Sequence, residues 1–171
     1  MAPNDTIRTL FVTGLRNAHA MENQALSIMK PQVSRIENYP EVAARLEQHI
    51  TETEGQIQRI EDILGSLNES HSSLKDAALS FSGAMAALGH TVAGDEIVKN
   101  SFANFAFENF EAAAYKSLII MADHGGFSAS KPLLEANLRE EQDMANWIEQ
   151  NLATVTQRFI SLSESNQSAK V

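Results

Sequence analysis

Five glutamates fall where a soluble helix should be apolar. Glu22, Glu52, Glu108, Glu111 and Glu141 each lie on or beside the inward stripe of a long predicted helix. A carboxylate taken out of water is costly unless a cation or a proton compensates it. Five converging in one interior call for positive charge, and a pair of divalent metal ions at the centre of a helical bundle is the simplest source. The competing readings are glutamates at helix seams that open individually to water, or that pair with Arg16, Arg45, Arg59 or Arg139. Glu111, one turn after Glu108, also reads as its solvated neighbour.

Other side chains join this set by spacing. His49, Glu52 and Gln56 share one face of a helix. His49 is either a ligand or a donor that orients a ligand carboxylate. Gln56 either offers its amide oxygen or hydrogen-bonds a carboxylate. Tyr115 reads as a core residue whose hydroxyl bonds a carboxylate, His19 as a seam histidine, and His124 suits a helix C-terminus. No Ser/His/Asp arrangement, phosphate-binding loop or dinucleotide fingerprint is visible.

Four long helices must position these groups. Helix A starts near Asn4 or Asp5, with the stripe Phe11, Leu15, Ala18, Glu22, Ala25, Met29, and Pro31 kinks or ends it. Helix B starts at Pro40, carries Val42, Leu46, Ile50, Ile57, Ile60 and Leu64, and ends at Gly65. A long connection over 66–94 carries a short helix, Leu74–Leu88, and lets B and C run parallel. Helix C spans Asp95 to His124, with Ile97, Ser101, Phe105, Glu108, Ala112, Tyr115, Leu118 and Ala122 inward, and stops at Gly125-Gly126. Helix D starts near Ser128 or Ser130, with Leu134, Leu138, Glu141, Ala145, Ile148 and Leu152. The expectation is an all-α four-helix bundle over 1–160 and a frayed polar tail over 161–171.

Composition narrows the function classes. A length of 171 residues suits one domain, and 22 acidic against 13 basic residues give a net charge of −9. That balance opposes nucleic-acid binding and favours cation attraction. The absence of cysteine removes disulfides, thiolate zinc sites and cysteine nucleophiles. No apolar run approaches a membrane span, and the N-terminal residues lack a secretory pattern, so a cytoplasmic location is expected. Phe102, Phe105, Phe107 and Phe110 are too many for one core stripe and read as core plus dimer interface.

The halves of the chain echo each other: Ala-Met-Glu22-Asn on A, Ala-Phe-Glu108-Asn on C, with Glu52 and Glu141 following on B and D. The blocks ETEGQIQRIEDIL (52–64), FENFEAAAYKSLIIMADHGG (107–126) and LLEANLREEQDMANWI (133–148) resemble the bacterial YciF/YciE group, a ferritin-like family labelled as a domain of unknown function. The resemblance implies a ferritin-like bundle, dimeric, related in architecture to rubrerythrin, with metal ligands at Glu22, Glu52, Glu108, Glu111 and Glu141. One departure matters. The histidine expected three residues after the second- and fourth-helix glutamates is replaced by Gly55 and Met144. His49, one turn before Glu52, stands instead, and the site is richer in oxygen than the usual di-iron pattern.

Two functional expectations follow. The first is a di-metal carboxylate protein, iron or manganese, in the oxidative or general stress response, with dioxygen or peroxide as substrate if it is catalytic. The second is a non-catalytic dimeric structural or stress protein in which metal only stabilises the bundle. A third possibility, that no metal binds, predicts carboxylates paired to arginine or opened to water.

Overall fold

The computed structural model describes residues 3–69 and 94–171. They form four α-helices and one 3-10 turn: α1 (Pro3–Val33), α2 (Pro40–Ser66), α3 (Glu96–Gly125), the 3-10 turn Ser128–Ser130, and α4 (Lys131–Glu164). The all-α bundle expected from the sequence is what these residues build. The expected helix Leu74–Leu88 lies outside the described residues.

Side-chain pairs fix the helix directions. Arg16 of α1 meets Glu69 just past the end of α2, while Lys30 near the end of α1 meets Glu54. Arg35, following α1, meets Glu96 at the start of α3. Helix α1 is therefore antiparallel to both α2 and α3, and those two are parallel, as a long crossover requires. Helices α3 and α4 form a tight antiparallel hairpin. Its turn is closed by Gly126 in the left-handed region (φ 75°), with Phe127 N–H donating to Ala122 O at 2.8 Å. An L side chain would be strained there, which is why glycine ends this helix.

Helix α1 ends two residues after Pro31, at Val33, as a nearby stop at the proline requires, and unwinds through Ser34–Ile36. Helix α2 passes Gly65 and ends one residue later, where Asn68 takes the left-handed conformation (φ 56°). Asparagine does this at modest cost.

The core is apolar toward one end, mixed with polar groups along its middle, and closed at the far end by a small apolar cluster of Tyr39, Ile97 and Val155. Toward the Leu64 and Gly125 end it is apolar: Phe11, Leu15, Ile60, Leu64, Ala122 and Leu134 are at most 1% exposed, and the Phe11 and Phe127 rings stack with centroids 4.7 Å apart. Gly14 lets α1 approach α3 here, since a Cβ at that position would lie 2.8 Å from Leu118 Cδ2. Toward the other end the buried face turns polar, with His49, Thr53 and Gln56 on α2 and Asn100, Asn104, Glu108 and Glu111 on α3.

Two expectations need correction. In the first half of α3 the inward positions are Asn100 and Asn104; Ser101 is half-buried and Phe105 is 37% exposed. The register is set by Glu108, Ala112 and Tyr115 further along, and residues four before Glu108 must share its face. The tail is not frayed either. Helix α4 continues to Glu164, Asn166 reverses the chain (φ 52°), and the last residues fold back. Tyr39 Oη donates to Ala169 O at 2.6 Å, and the Ile97 N–H donates to Lys170 O at 2.9 Å. Polar composition argues against a core segment, but it does not stop backbone carbonyls from meeting the orphan donors of a helix start.

Candidate metal centre

The site occupies the middle of the polar zone. His49 of α2, Glu108 of α3 and Glu141 of α4 are all buried, and one ligand-type atom from each lies within 4.8 Å of the others. Those three residues could hold a metal ion. His49 Nδ1 is 2.9 Å from Glu52 Oε2, while its Nε2 is 2.9 Å from Glu108 Oε2 and 3.7 Å from Glu141 Oε2. The first of the two Nε2 contacts is at hydrogen-bond distance but poorly aligned, because neither atom makes a hydrogen bond of good geometry.

Helix α1 contributes Glu22 and α3 adds Glu111, both fully shielded from solvent. Tyr115 Oη donates a very short hydrogen bond to Glu22 Oε1 and accepts one from Asn137 Nδ2 at 3.0 Å. The reading of Tyr115 as a core hydroxyl bonded to a carboxylate therefore holds. Glu22, Glu108, Glu111 and Glu141 lie close enough to perturb one another electrostatically.

Glu52 stands apart. It is half-buried at the bundle edge, where Arg45 Nη1 (3.1 Å), Gln48 Nε2 (2.7 Å) and His49 hold it. Gln56 is buried; its Nε2 donates to Glu140 Oε2 at 3.1 Å and its Oε1 has no partner. Arg59 binds Glu140 and Asn137. His19 pairs with Glu61 at 3.0 Å, away from the cluster.

The donor set fits a cation. Glu22 Oε2, Glu108 Oε2, both oxygens of Glu111, both of Glu141, and Gln56 Oε1 are buried without a hydrogen-bond partner. Native interiors rarely leave such atoms unsatisfied, and several together point to an ion or to protons. Burial, against the opposing hydrogen bond from Tyr115, raises the Glu22 carboxyl to about 8. Burial and mutual repulsion push Glu111 and Glu141 well above the ordinary carboxylate range. Burial alone would lower His49, but Glu108 and Glu52 overcome it and lift the imidazole to about 9. Burial would likewise raise Glu52, yet His49 and Arg45 hold it down at about 2. Without a metal, the centre is thus kept together by protons on carboxyls and an imidazolium. A divalent cation would take their place.

Sequence reasoning missed Thr53, which is fully buried with an unpartnered hydroxyl, and Asn137. Asn137 carried a signal, since it lies four residues before Glu141 on the same helical row. Thr53 carried a weaker one, four residues after His49.

Buried carboxylates from three helices and a histidine from the fourth mark an all-α bundle protein with a cluster that could hold a metal ion. Residues 6–161 match the family described as Domain of unknown function (DUF892), and the chain belongs to it. Among solved structures, it is similar to a protein of Xanthomonas campestris (29% identity, TM-score 0.78, covering 93% of this chain and 99% of that one). It shares its fold with the E. coli stress protein YciF (22% identity, TM-score 0.71, 86% and 97% covered) and with YcfI of Rhodopseudomonas palustris (21%, TM-score 0.67, 87% and 96%). The resemblance to the YciF group is thereby supported. No helix among the described residues is long and apolar enough to cross a membrane.

Proposed function

We propose that this protein binds divalent metal, iron or manganese, at the buried carboxylate centre, and that a second ion joins the first when Glu22 and Glu111 take part. The carrying observation is the set of unpartnered oxygens on Glu22, Glu108, Glu111 and Glu141 around His49. His49, Glu108 and Glu141 would hold the first ion. Glu22, Glu111 and the Gln56 amide oxygen lie beside them for the second, and Glu52 would orient His49 through Nδ1. Bound iron would supply redox chemistry toward dioxygen or peroxide. The chain's own residues bind the ions, exclude bulk water and fix the Glu22 carboxylate through Tyr115 and Asn137. A role in a stress response is consistent with the likeness to the E. coli stress protein YciF.

A specific observation favours a second reading, a non-catalytic protein stabilised by metal. Gly55 and Met144 stand where the resemblance leads one to expect histidines, and Glu52 is engaged by Arg45. In either reading the chain pairs with a second copy through the outer face of α3, where Phe102, Phe110 and Ile120 are more than half exposed.

Equilibrium titration of metal-free protein with Mn(II) and, anaerobically, with Fe(II) tests the proposal. Saturable binding that is lost in Glu108→Ala and Glu141→Ala is expected. An absence of binding, with melting unchanged by chelator, would overturn it. Metal-dependent stabilisation without peroxide or ferrous turnover would select the second reading.

A further inference from the structure

The polar character of the core does not end at the metal centre. Along α3 the residues Glu96, Asn100, Asn104 and Glu108 recur every fourth position, and all four are buried. They form one continuous row from the start of the helix to the site. On the far side of the site the same interior is closed by Leu15, Ile60, Leu118 and Leu134. On that side the polar groups next to the site, Gln56 and Asn137, are engaged by Glu140 and Arg59, whereas the row along α3 runs on for about three turns.

Packing alone does not call for the amides at the middle of this row. Gln32 of α1 and Asn104 bind each other in the interior, Nε2 to Oδ1 at 3.3 Å and Nδ2 to Oε1 at 2.9 Å. A hydrocarbon pair of similar shape would pack there at little or no cost. Beside the pair lie two small cavities. One, of about 20 Å³, is bordered by Leu46, Asn104 and Met144. These precede His49 and Glu108, and follow Glu141, by about one helical turn. The other, of about 10 Å³, is bordered by Gln32, Asn100, Ser101 and Asn104. A cavity of roughly 10–15 Å³ suffices for one water molecule when polar partners line it. Ser101, Asn104, Val42 and Leu46 border both.

The mouth of this row is an ion-paired cluster. Arg35 and Lys170 lie 2.7 and 3.2 Å from the buried Glu96 carboxylate. Beyond it the row is lined by the uncharged Asn100, Ser101, Gln32 and Asn104, which offer hydrogen bonds to a neutral molecule but no countercharge to an ion stripped of water.

We propose that Asn100, Ser101 and the Gln32–Asn104 pair form a passage that admits neutral, hydrogen-bonding molecules the size of water, hydrogen peroxide among them, to the metal centre. Its purpose rests on the metal reading above, but its existence does not. The amide groups lend hydrogen bonds to a molecule in transit, replacing those it leaves in bulk water. The passage sets the class of small molecule that reaches Glu108, because its uncharged lining favours neutral molecules over ions.

Met144 gives a metal-free test, because its thioether borders the cavity nearest the site and is itself shielded from solvent. Hydrogen peroxide transfers one oxygen atom to the sulfur, giving the sulfoxide and water. Metal-free protein is exposed to dilute hydrogen peroxide under native conditions, and Met144 sulfoxide is followed by peptide mass spectrometry. The double variant Gln32→Leu/Asn104→Leu removes both amides, and Ser101→Val fills the shared cavity wall as an independent check. We expect oxidation of Met144 in the folded wild type and a rate about tenfold lower in variants of unchanged melting temperature, the effect of one hydrogen bond withdrawn from a transit barrier. Met144 that stays inert until the protein unfolds would overturn the proposal. So would equal rates in the wild type and the variants, which would place the route elsewhere, at the Glu52 edge. Neither outcome depends on whether metal binds.

Discussion

The two ends of the bundle are built from the same four helices and by opposite rules. At one end, Phe11, Leu15, Ile60, Leu64 and Leu134 fill the interior with hydrocarbon. Toward the other, Gln32, His49, Asn104, Glu108 and Glu141 share the interior with Leu46, Met144 and Ile148 before Tyr39, Ile97 and Val155 close it. The first arrangement follows from the hydrophobic effect alone. The second is unfavourable in a metal-free chain, because carboxylates and amides have left water for incomplete partnerships. The contrast teaches that stability and function are segregated along the bundle axis. The apolar end holds the helices together firmly enough for the polar end to retain groups that repel each other.

That comparison breaks first if the apolar end is weakened. Phe11→Ala removes a ring that stacks on Phe127, and large-to-small core changes of this kind cost about 3–5 kcal/mol. Urea denaturation should show that loss, while the Mn(II) affinity of the folded fraction stays as in the wild type. A matching loss of affinity would mean that the two ends are not separable.

The polar end should respond less in stability and more in binding. Arg35→Ala removes the guanidinium that contacts buried Glu96 through Nε (3.0 Å) and Nη2 (2.7 Å), leaving Lys170 as the remaining cation. Truncating a charged partner of this kind, with some relief from the solvent that reaches Arg35, costs about 1–3 kcal/mol. Thermal melting checks it. Glu111→Gln keeps the shape of a side chain whose oxygens lack partners, but removes its capacity for charge. Cation affinity should fall by about tenfold or more, while metal-free protein melts at the same temperature or higher. A lower melting point in the metal-free variant would show that Glu111 serves the fold instead.

The smallest effect concerns acid. Burial would raise the Glu96 carboxyl, but hydrogen bonds from Arg35 and Lys170 hold it below its ordinary value of 4.5. A depressed native value means that its contribution is complete above about pH 4.5 and fades as pH falls through the lower native value. Amide protection of Ile97, whose N–H donates to the docked tail, should therefore drop on acidification. Amides near Leu64 should keep theirs over the same range.

Much of this was legible in the sequence, for physical reasons that differ by element. The four helices announced themselves through apolar periodicity, and Glu22, Glu108, Glu111 and Glu141 stood out because charge on an inward row is anomalous. His49 was visible by its spacing from Glu52. The buried Asn100 and Asn104 were not, because Ser101 and Phe105 offered a more hydrophobic row one position on. Only the register imposed by Glu108 and Tyr115 resolves that choice. Glu52 shares its helical face with His49, but which way its side chain turns depends on Arg45 and Gln48. The docking of the tail left no pattern at all, since it acts through backbone carbonyls at Ala169 and Lys170.

The central claim is that the buried carboxylates converge in order to hold a cation. Anomalous diffraction from a crystal of the protein equilibrated with Mn(II) addresses it directly. A peak bounded by His49, Glu108 and Glu141, with a second nearer Glu22 and Glu111 at full loading, is the predicted result. Carboxyl groups still turned inward around no anomalous density at saturating Mn(II) would contradict it.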